Sequence, residues 1–404
     1  MKIIRPYLKI IIYILLFALS ACGGGGGDGP ATSGTIQSGD YTSKNLASNA
    51  ISFSVQNIDG NNVNLPYVSV NICQPGTTKC QNVNNVLLDT GSMGLRVLSS
   101  ALGNLQLSGQ TYYNIPVAEC ATFLGGVTWG PVKIADIKMS SEVANSIPIQ
   151  VIDDANYSSV PSRCSNGMPT MQTSATLKAN GILGVGLLIA DGQNYYACSS
   201  NFGANCTSYT IPLPTSSQVQ NPVASFTSNN NGIIMQLPNI SNSGAPSVSG
   251  SLYFGIDTQS NNSSSGASII PTNGSVYFTT IFNGTAIRSS FIDSGSNALF
   301  FPAGNQSATL IPCTFSLGFY CPDSTQSYSA TVPLKNNVTG TINFSIANTD
   351  SLIATSNAAF NNLGGPLQSQ FDWGLPFFFG KTVYFGITGK SSTSGVGPYY
   401  GYKN

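Results

Sequence analysis

The 404-residue chain carries 15 basic and 15 acidic side chains, only 7% charged residues and no histidine. Balanced charge leaves no electrostatic footprint for nucleic acid. The missing histidine excludes Ser-His-Asp and Cys-His nucleophilic sites and the histidine-bearing zinc centres. No Gly-x-x-x-x-Gly-Lys-Ser/Thr loop is present, and Gly184-Val185-Gly186 lacks the rest of a dinucleotide fingerprint. No metal or cofactor is therefore expected. Many glycines and few helix formers favour strands and turns.

At the amino terminus, Lys2, Arg5 and Lys9 precede an apolar run from Ile10 to Leu19, too short to span a membrane. The run ends in Leu19-Ser20-Ala21-Cys22, which resembles the bacterial lipoprotein cleavage box and implies a signal peptide over residues 1–22. In that reading Cys22 becomes the lipidated first residue of the mature chain. Residues 23–50, opening with Gly23 to Gly27, read as a flexible tether. Gly23 after the cysteine, where an aspartate is absent, points to the outer membrane of a two-membrane envelope. The implied setting is a bacterial cell envelope, with the chain held to the membrane through Cys22.

Setting Cys22 aside leaves eight of the nine cysteines, an even set suited to an oxidising compartment. Local spacing suggests Cys73–Cys80, Cys198–Cys206 and Cys313–Cys321, with Cys120–Cys164 as the long link. From about residue 50 short apolar runs alternate with turn residues. Ile51 to Val55, Tyr67 to Ile72, Val132 to Ile137, Ser251 to Phe254 and Val383 to Ile387 read as strands. The best helical windows are Asn221 to Thr227 and Ser351 to Asn362. About 350 residues exceed what one core usually serves, so two lobes are expected. A polar, Pro/Gly-rich stretch from Ile211 to Gly250 marks their junction, giving lobes over 51–235 and 236–404.

Two runs stand out, one in each half: Leu87-Leu88-Asp89-Thr90-Gly91-Ser92 and Phe291-Ile292-Asp293-Ser294-Gly295-Ser296. Each sets an aspartate after two apolar residues and before a hydroxyl residue, a glycine and a serine. One copy is an ordinary turn. Two suggest an internal duplication and a pair of carboxylates brought together, a route to acid–base chemistry that needs no histidine.

The pattern resembles the pepsin-like aspartic peptidases, in which each of two β lobes contributes one catalytic aspartate to a central cleft. Tyr67 to Ile72 resembles the strand leading to the first active-site loop. Gly181-Ile182-Leu183-Gly184-Val185-Gly186 is similar to the segment that threads behind the first aspartate, and Trp373-Gly374-Leu375-Pro376 stands where the second belongs. The resemblance implies an all-β, two-lobed, pepsin-like double β-barrel with Asp89 and Asp293 as the catalytic pair. It further implies that Gly91 and Gly295 bring backbone N–H groups to the carboxylates. Thr90 and Ser294 would bond across the pseudo-twofold axis, and Ser92 and Ser296 would bond the outer carboxylate oxygens.

Three departures from the family pattern are visible. Asp372-Trp373 replaces two aliphatic residues before the second threading glycine, and Arg96 replaces a tryptophan beside the flap. No tyrosine falls on the flap segment Glu119 to Phe123; Tyr112 and Tyr113 lie upstream and would serve only with the hairpin redrawn. Glu119 reads as a solvated or hydrogen-bonded loop carboxylate, and Trp129, Trp373 and Phe377 to Phe379 as core. The implied activity is an acidic-range endopeptidase acting on extended polypeptide. The rival is a catalytically silent lipoprotein whose cleft binds a peptide, glycan or envelope partner.

Overall fold

Period-two patterning becomes sheet wherever one face of the segment can be covered. In strand Val248–Phe254, Val248, Gly250, Leu252 and Phe254 turn inward, while between them Ser249 is exposed and Ser251 and Tyr253 are half-buried. The structure is a computed structural model and describes residues 47–60, 62–157, 159–199, 206–304 and 309–404. The expected signal segment, Cys22 and nearly all of the tether lie outside the described residues.

The molecule is all-β and two-lobed, as the resemblance implies. In the first lobe, strands Glu142–Ile152, Met93–Leu98, Gly181–Val185, Cys80–Asp89 and Pro66–Cys73 lie side by side. Successive pairs run parallel, antiparallel, parallel and antiparallel. In the second lobe the order Gly364–Pro366, Leu299–Phe301, Phe371–Trp373, Thr285–Ile292 and Phe278–Phe282 repeats that alternation step for step. In each lobe, then, a short strand from later in the chain is threaded between the strand that leads into an aspartate loop and the strand that leaves it. Two loops suspended this way have their backbone amides and carbonyls committed on both sides, which restricts their movement.

A run of six antiparallel strands carries the first-lobe sheet onward: Ala50–Val55, Val248–Phe254, Gly232–Gln236, Thr382–Gly386, Tyr399–Lys403 and Ser268–Pro271. Its apolar faces join a core that extends from Phe53 through Met235 and Phe254 to Phe385 and Tyr402. In the second lobe this core is aromatic. The Phe371 ring stacks on Trp373 at 4.3 Å and on Phe301 at 5.1 Å, and Phe344 meets Trp373 edge-on at 5.6 Å. The indole N–H of Trp373 donates to Thr280 Oγ1 at 3.1 Å. Trp129 lies elsewhere, in a smaller cluster of the first lobe with Tyr196 and Cys120. Both tryptophans and Phe377 to Phe379 are buried, as expected.

Among the described residues four disulfides form, Cys73–Cys80, Cys120–Cys164, Cys198–Cys206 and Cys313–Cys321, the pairs that spacing suggests. The helical windows come out shorter than expected. Asn221 to Thr227 holds only the 3-10 turn Pro222–Ser225, opened by an Asn221 side chain that accepts from Val223 N at 3.0 Å. Ser351 to Asn362 holds only the end of helix Thr349–Ile353, capped by Asn348. Beyond it, the amides of Ala358 and Ala359 are taken by the carbonyl of Ala245, so the rest of the window pairs with another segment.

Candidate active site

Asp89 is the last residue of strand Cys80–Asp89, with Gly184 of the threading strand opposite it. Asp293 directly follows strand Thr285–Ile292, and its amide donates to the Trp373 carbonyl at 3.1 Å. The two loops interlock through hydroxyls. Ser294 Oγ donates to the Leu88 carbonyl at 2.7 Å and accepts from Thr90 N at 3.1 Å. Thr90 Oγ1 accepts from Ser294 N at 2.8 Å and donates to the Ile292 carbonyl at 3.4 Å. Each hydroxyl thus satisfies buried backbone on the opposite loop, so neither loop can shift without leaving the other's polar groups unpaired.

The carboxylates meet over this knot. Gly91 N donates to Asp89 Oδ1 at 2.8 Å and to Asp293 Oδ1 at 3.1 Å. Gly295 N donates to Asp293 Oδ1 at 2.7 Å. Ser92 Oγ bonds Asp89 Oδ2 at 2.5 Å, and Ser296 Oγ bonds Asp293 Oδ2 at 2.9 Å. Only glycine fits at the two central positions. A Cβ on Gly91 would lie 2.5 Å from the Asp293 carboxyl carbon, and one on Gly295 would lie 2.7 Å from Asp89 Oδ1. All eight motif residues named from the sequence are therefore in one place.

Burial first, then the charge of Asp89 and a hydrogen bond shared with it, hold the Asp293 carboxyl well above the usual carboxylate range. The amide of Gly295 and the hydroxyl of Ser296 pull the other way and do not cancel the effect. Such a pair retains a proton where a lone carboxyl would not, and the titration belongs to the pair. Asp293, Gly295, Ser92 and Ser296 keep partial solvent contact at the loop tips. Chemically, the arrangement offers a proton acceptor and a proton donor side by side.

A third acid lies against the pair. Asp372 is 1% exposed, and burial followed by the charge of Asp293 pushes its carboxyl well above the ordinary range. In the sequence it registers only as a departure at the threading segment. Its acidity toward the site becomes visible once strand Phe371–Trp373 is seen paired beside Phe291 and Ile292.

Arg96 anchors a second network beside the first loop. Its Nη2 bonds Glu119 Oε1 at 2.6 Å and Asp191 Oδ2, while Nη1 donates to the Met93 carbonyl at 2.8 Å. Tyr195 Oη donates to Asp191 Oδ1 at 2.6 Å and accepts from Val219 N at 2.7 Å. Of the reading of Glu119 as a solvated or hydrogen-bonded loop carboxylate, the hydrogen bond is present, to Arg96, but the placement is corrected: the residue is wholly buried in strand Ile115–Phe123. Burial works against the Arg96 charge, but Glu119 and Asp191 outweigh it and hold the guanidinium above its ordinary value. One cation facing two carboxylates leaves a surplus of negative charge, and burial pushes Glu119 well above the usual range. Asp191 and Tyr195 were not foreseen. The available signal was Arg96 itself, a charge in the otherwise apolar strand Met93–Leu98, which has to find acidic partners.

The segment Glu119 to Phe123, expected as the flap, lies in a hairpin of Ile115–Phe123 and Gly126–Met139, with Leu124 and Gly125 at its turn. Phe123, near that turn, lies under the Arg96 guanidinium, 5.4 Å from ring centroid to carbon. Tyr112 and Tyr113 precede the hairpin, and Tyr113 is 84% exposed.

No curated protein matches this chain. Among solved structures, it is similar to an aspartic proteinase from Irpex lacteus, with 14% identity over 88% of this chain and 97% of that one and a TM-score of 0.49. A family profile described as "Protein of unknown function (DUF3443)" matches residues 45–402, and the chain belongs to that family.

Proposed function

We propose that this protein is an aspartic-type endopeptidase acting on extended polypeptide. One observation carries the reading: a single amide, Gly91 N–H, is shared by the carboxylates of Asp89 and Asp293 from two interlocked loops. Two like charges this close are costly, and a binding surface has no use for them.

In the proposed reaction the pair holds one proton, favoured on Asp293 by burial and by its neighbour. The ionised member takes a proton from a water as its oxygen attacks the peptide carbonyl carbon. The protonated member gives its proton to the carbonyl oxygen. The resulting diol collapses when its hydroxyl proton returns to the pair and the amide nitrogen takes the other, breaking the C–N bond. Protons balance over the cycle, and no covalent intermediate forms. Gly91 N–H, Gly295 N–H, Ser92 and Ser296 would hold the carboxylates in position.

The test is cleavage of denatured casein between about pH 3 and 7 by purified protein, beside Asp89→Asn and Asp293→Asn. Activity lost in both variants supports the reading. Cleavage surviving either one assigns it elsewhere, and peptide binding without cleavage by wild type gives the case to the silent binding module.

We also propose that Cys22 carries a lipid anchor in a bacterial envelope, at the outer membrane. The basic start, the apolar run and Leu19-Ser20-Ala21-Cys22 support this reading. Metabolic labelling with a fatty acid should mark the wild type and not Cys22→Ala.

A further inference from the structure

Asp372 has no part in the reaction proposed above, yet its position has a physical cost. It is the middle residue of the three-residue strand Phe371–Trp373, held between Phe291 on one side and Phe300 on the other. Strand alternation sends Phe371 and Trp373 into the aromatic core and Asp372 to the opposite face. The side chain is buried, and its Oδ1 has no hydrogen-bond partner. A buried, orphaned carboxyl oxygen is destabilising, and its retention calls for an explanation outside packing.

The groups around it supply one. Asp293 and Asp89 both act on Asp372 by charge, and the Ser296 hydroxyl reaches it as well. That same hydroxyl donates to Asp293 Oδ2 at 2.9 Å, so one serine sits between the two acids. From the C-terminal strand comes Tyr400, a buried phenol within the field of both Asp293 and Asp372, its own hydroxyl donating to the Val276 carbonyl at 2.9 Å. Among the described residues no lysine or arginine forms a salt bridge with Asp372. Among the described residues the neighbourhood is thus three acids, a phenol and a serine, with no salt-bridged cation.

We propose that Asp372 is a third proton-binding group of the site, a positioning residue coupled to Asp293 by charge and through Ser296, which keeps the working proton on the aspartate pair. The sign follows from electrostatics. Three carboxyls this close share their protons: each one that ionises makes removal of the next proton harder, and an uncharged side chain at position 372 takes one of those charges away. The pair should therefore stay singly protonated to higher pH than two carboxyls alone would. The activity arm of the test rests on the peptidase reading; the spectroscopic arm does not.

The variants are Asp372→Asn, close in shape and without charge, and Asp372→Glu, which restores the acid. Should the amide variant fail to fold, Asp372→Leu fills the space without an orphaned oxygen and serves the same purpose. Infrared titration of the buried protonated-carboxyl bands, with Asp293→Asn identifying the Asp293 band, reads the proton directly. The expected result is a midpoint about one pH unit lower in Asp372→Asn, and near wild type in Asp372→Glu. In kcat/KM profiles on a peptide substrate, the basic limb should move down by the same amount while the acidic limb and KM at the optimum hold. An unshifted infrared midpoint in a folded, uncharged variant overturns the proposal whether or not the protein cleaves peptides. A shifted midpoint in a protein that cleaves nothing keeps the coupling and removes the peptidase reading.

Discussion

The amide of Gly91 donates to Oδ1 of Asp293 at 3.1 Å, across 202 positions of sequence. A methyl group on that glycine would occupy the space of the partner's carboxylate. Gly91→Ala should therefore push Asp293 out of line while leaving the two sheets in place. A misplacement near 1 Å at reacting groups costs about 100-fold in rate. We expect a loss of at least that size in kcat/KM, with an unchanged far-ultraviolet spectrum. Wild-type turnover by the alanine variant would show that the close approach is not needed.

Stability should depend on pH through Asp293. Its carboxyl is raised in the fold by burial and by Asp89, so the folded state holds a proton that the unfolded chain releases. The associated stability is fully present below the ordinary carboxylate value of about 3.9 and is lost as pH rises through the raised value. Asp293→Asn cannot ionise and escapes that loss. Urea midpoints of the variant should fall less steeply than wild type from about pH 4 upward. Parallel curves would contradict the assignment.

Arg96 offers a contrasting case. Arg96→Met leaves Glu119 and Asp191 buried without their cation. Breaking a buried pair from one side costs about 3–5 kcal/mol. Chemical denaturation should show a loss of that order, and adding Glu119→Gln and Asp191→Asn should recover part of it. A loss under about 1 kcal/mol would mean that water reaches the site.

The disulfides should differ in weight. Cys120–Cys164 closes a sequence separation of 44 residues and Cys73–Cys80 one of 7. Loop-closure entropy assigns about 4 kcal/mol to the first and roughly 2.5 kcal/mol to the second. Paired Cys→Ala replacements compared by urea midpoint would check the order. A larger loss at Cys73–Cys80 would reverse it.

What the sequence made legible were features written in local residue order. Asp89 and Asp293 could be found because each brings its own apolar pair, hydroxyl, glycine and serine within six residues. The short disulfides could be read from spacing for the same reason. Asp372, by contrast, has meaning only beside Phe291 and Ser296, about 80 positions earlier in the chain, a relation created by threading a strand between two others. Asp191 and Tyr195 likewise join Arg96 only through the fold. The helical window at Ser351 to Asn362 failed for a related reason: Ala245 takes backbone amides that a helix would have used.

Trp129 and Trp373, the two tryptophans of the chain, lie one to a lobe and in unlike surroundings. Trp129 sits opposite the half-cystine Cys120, whereas the Trp373 indole is stacked among phenylalanines and hydrogen-bonded to Thr280. The protein thus carries a native light emitter in each lobe. Replacing either with phenylalanine leaves a single reporter whose emission follows one lobe alone. The order in which the lobes come apart, or whether the hydroxyl knot makes them melt as one, can be watched without attaching any dye.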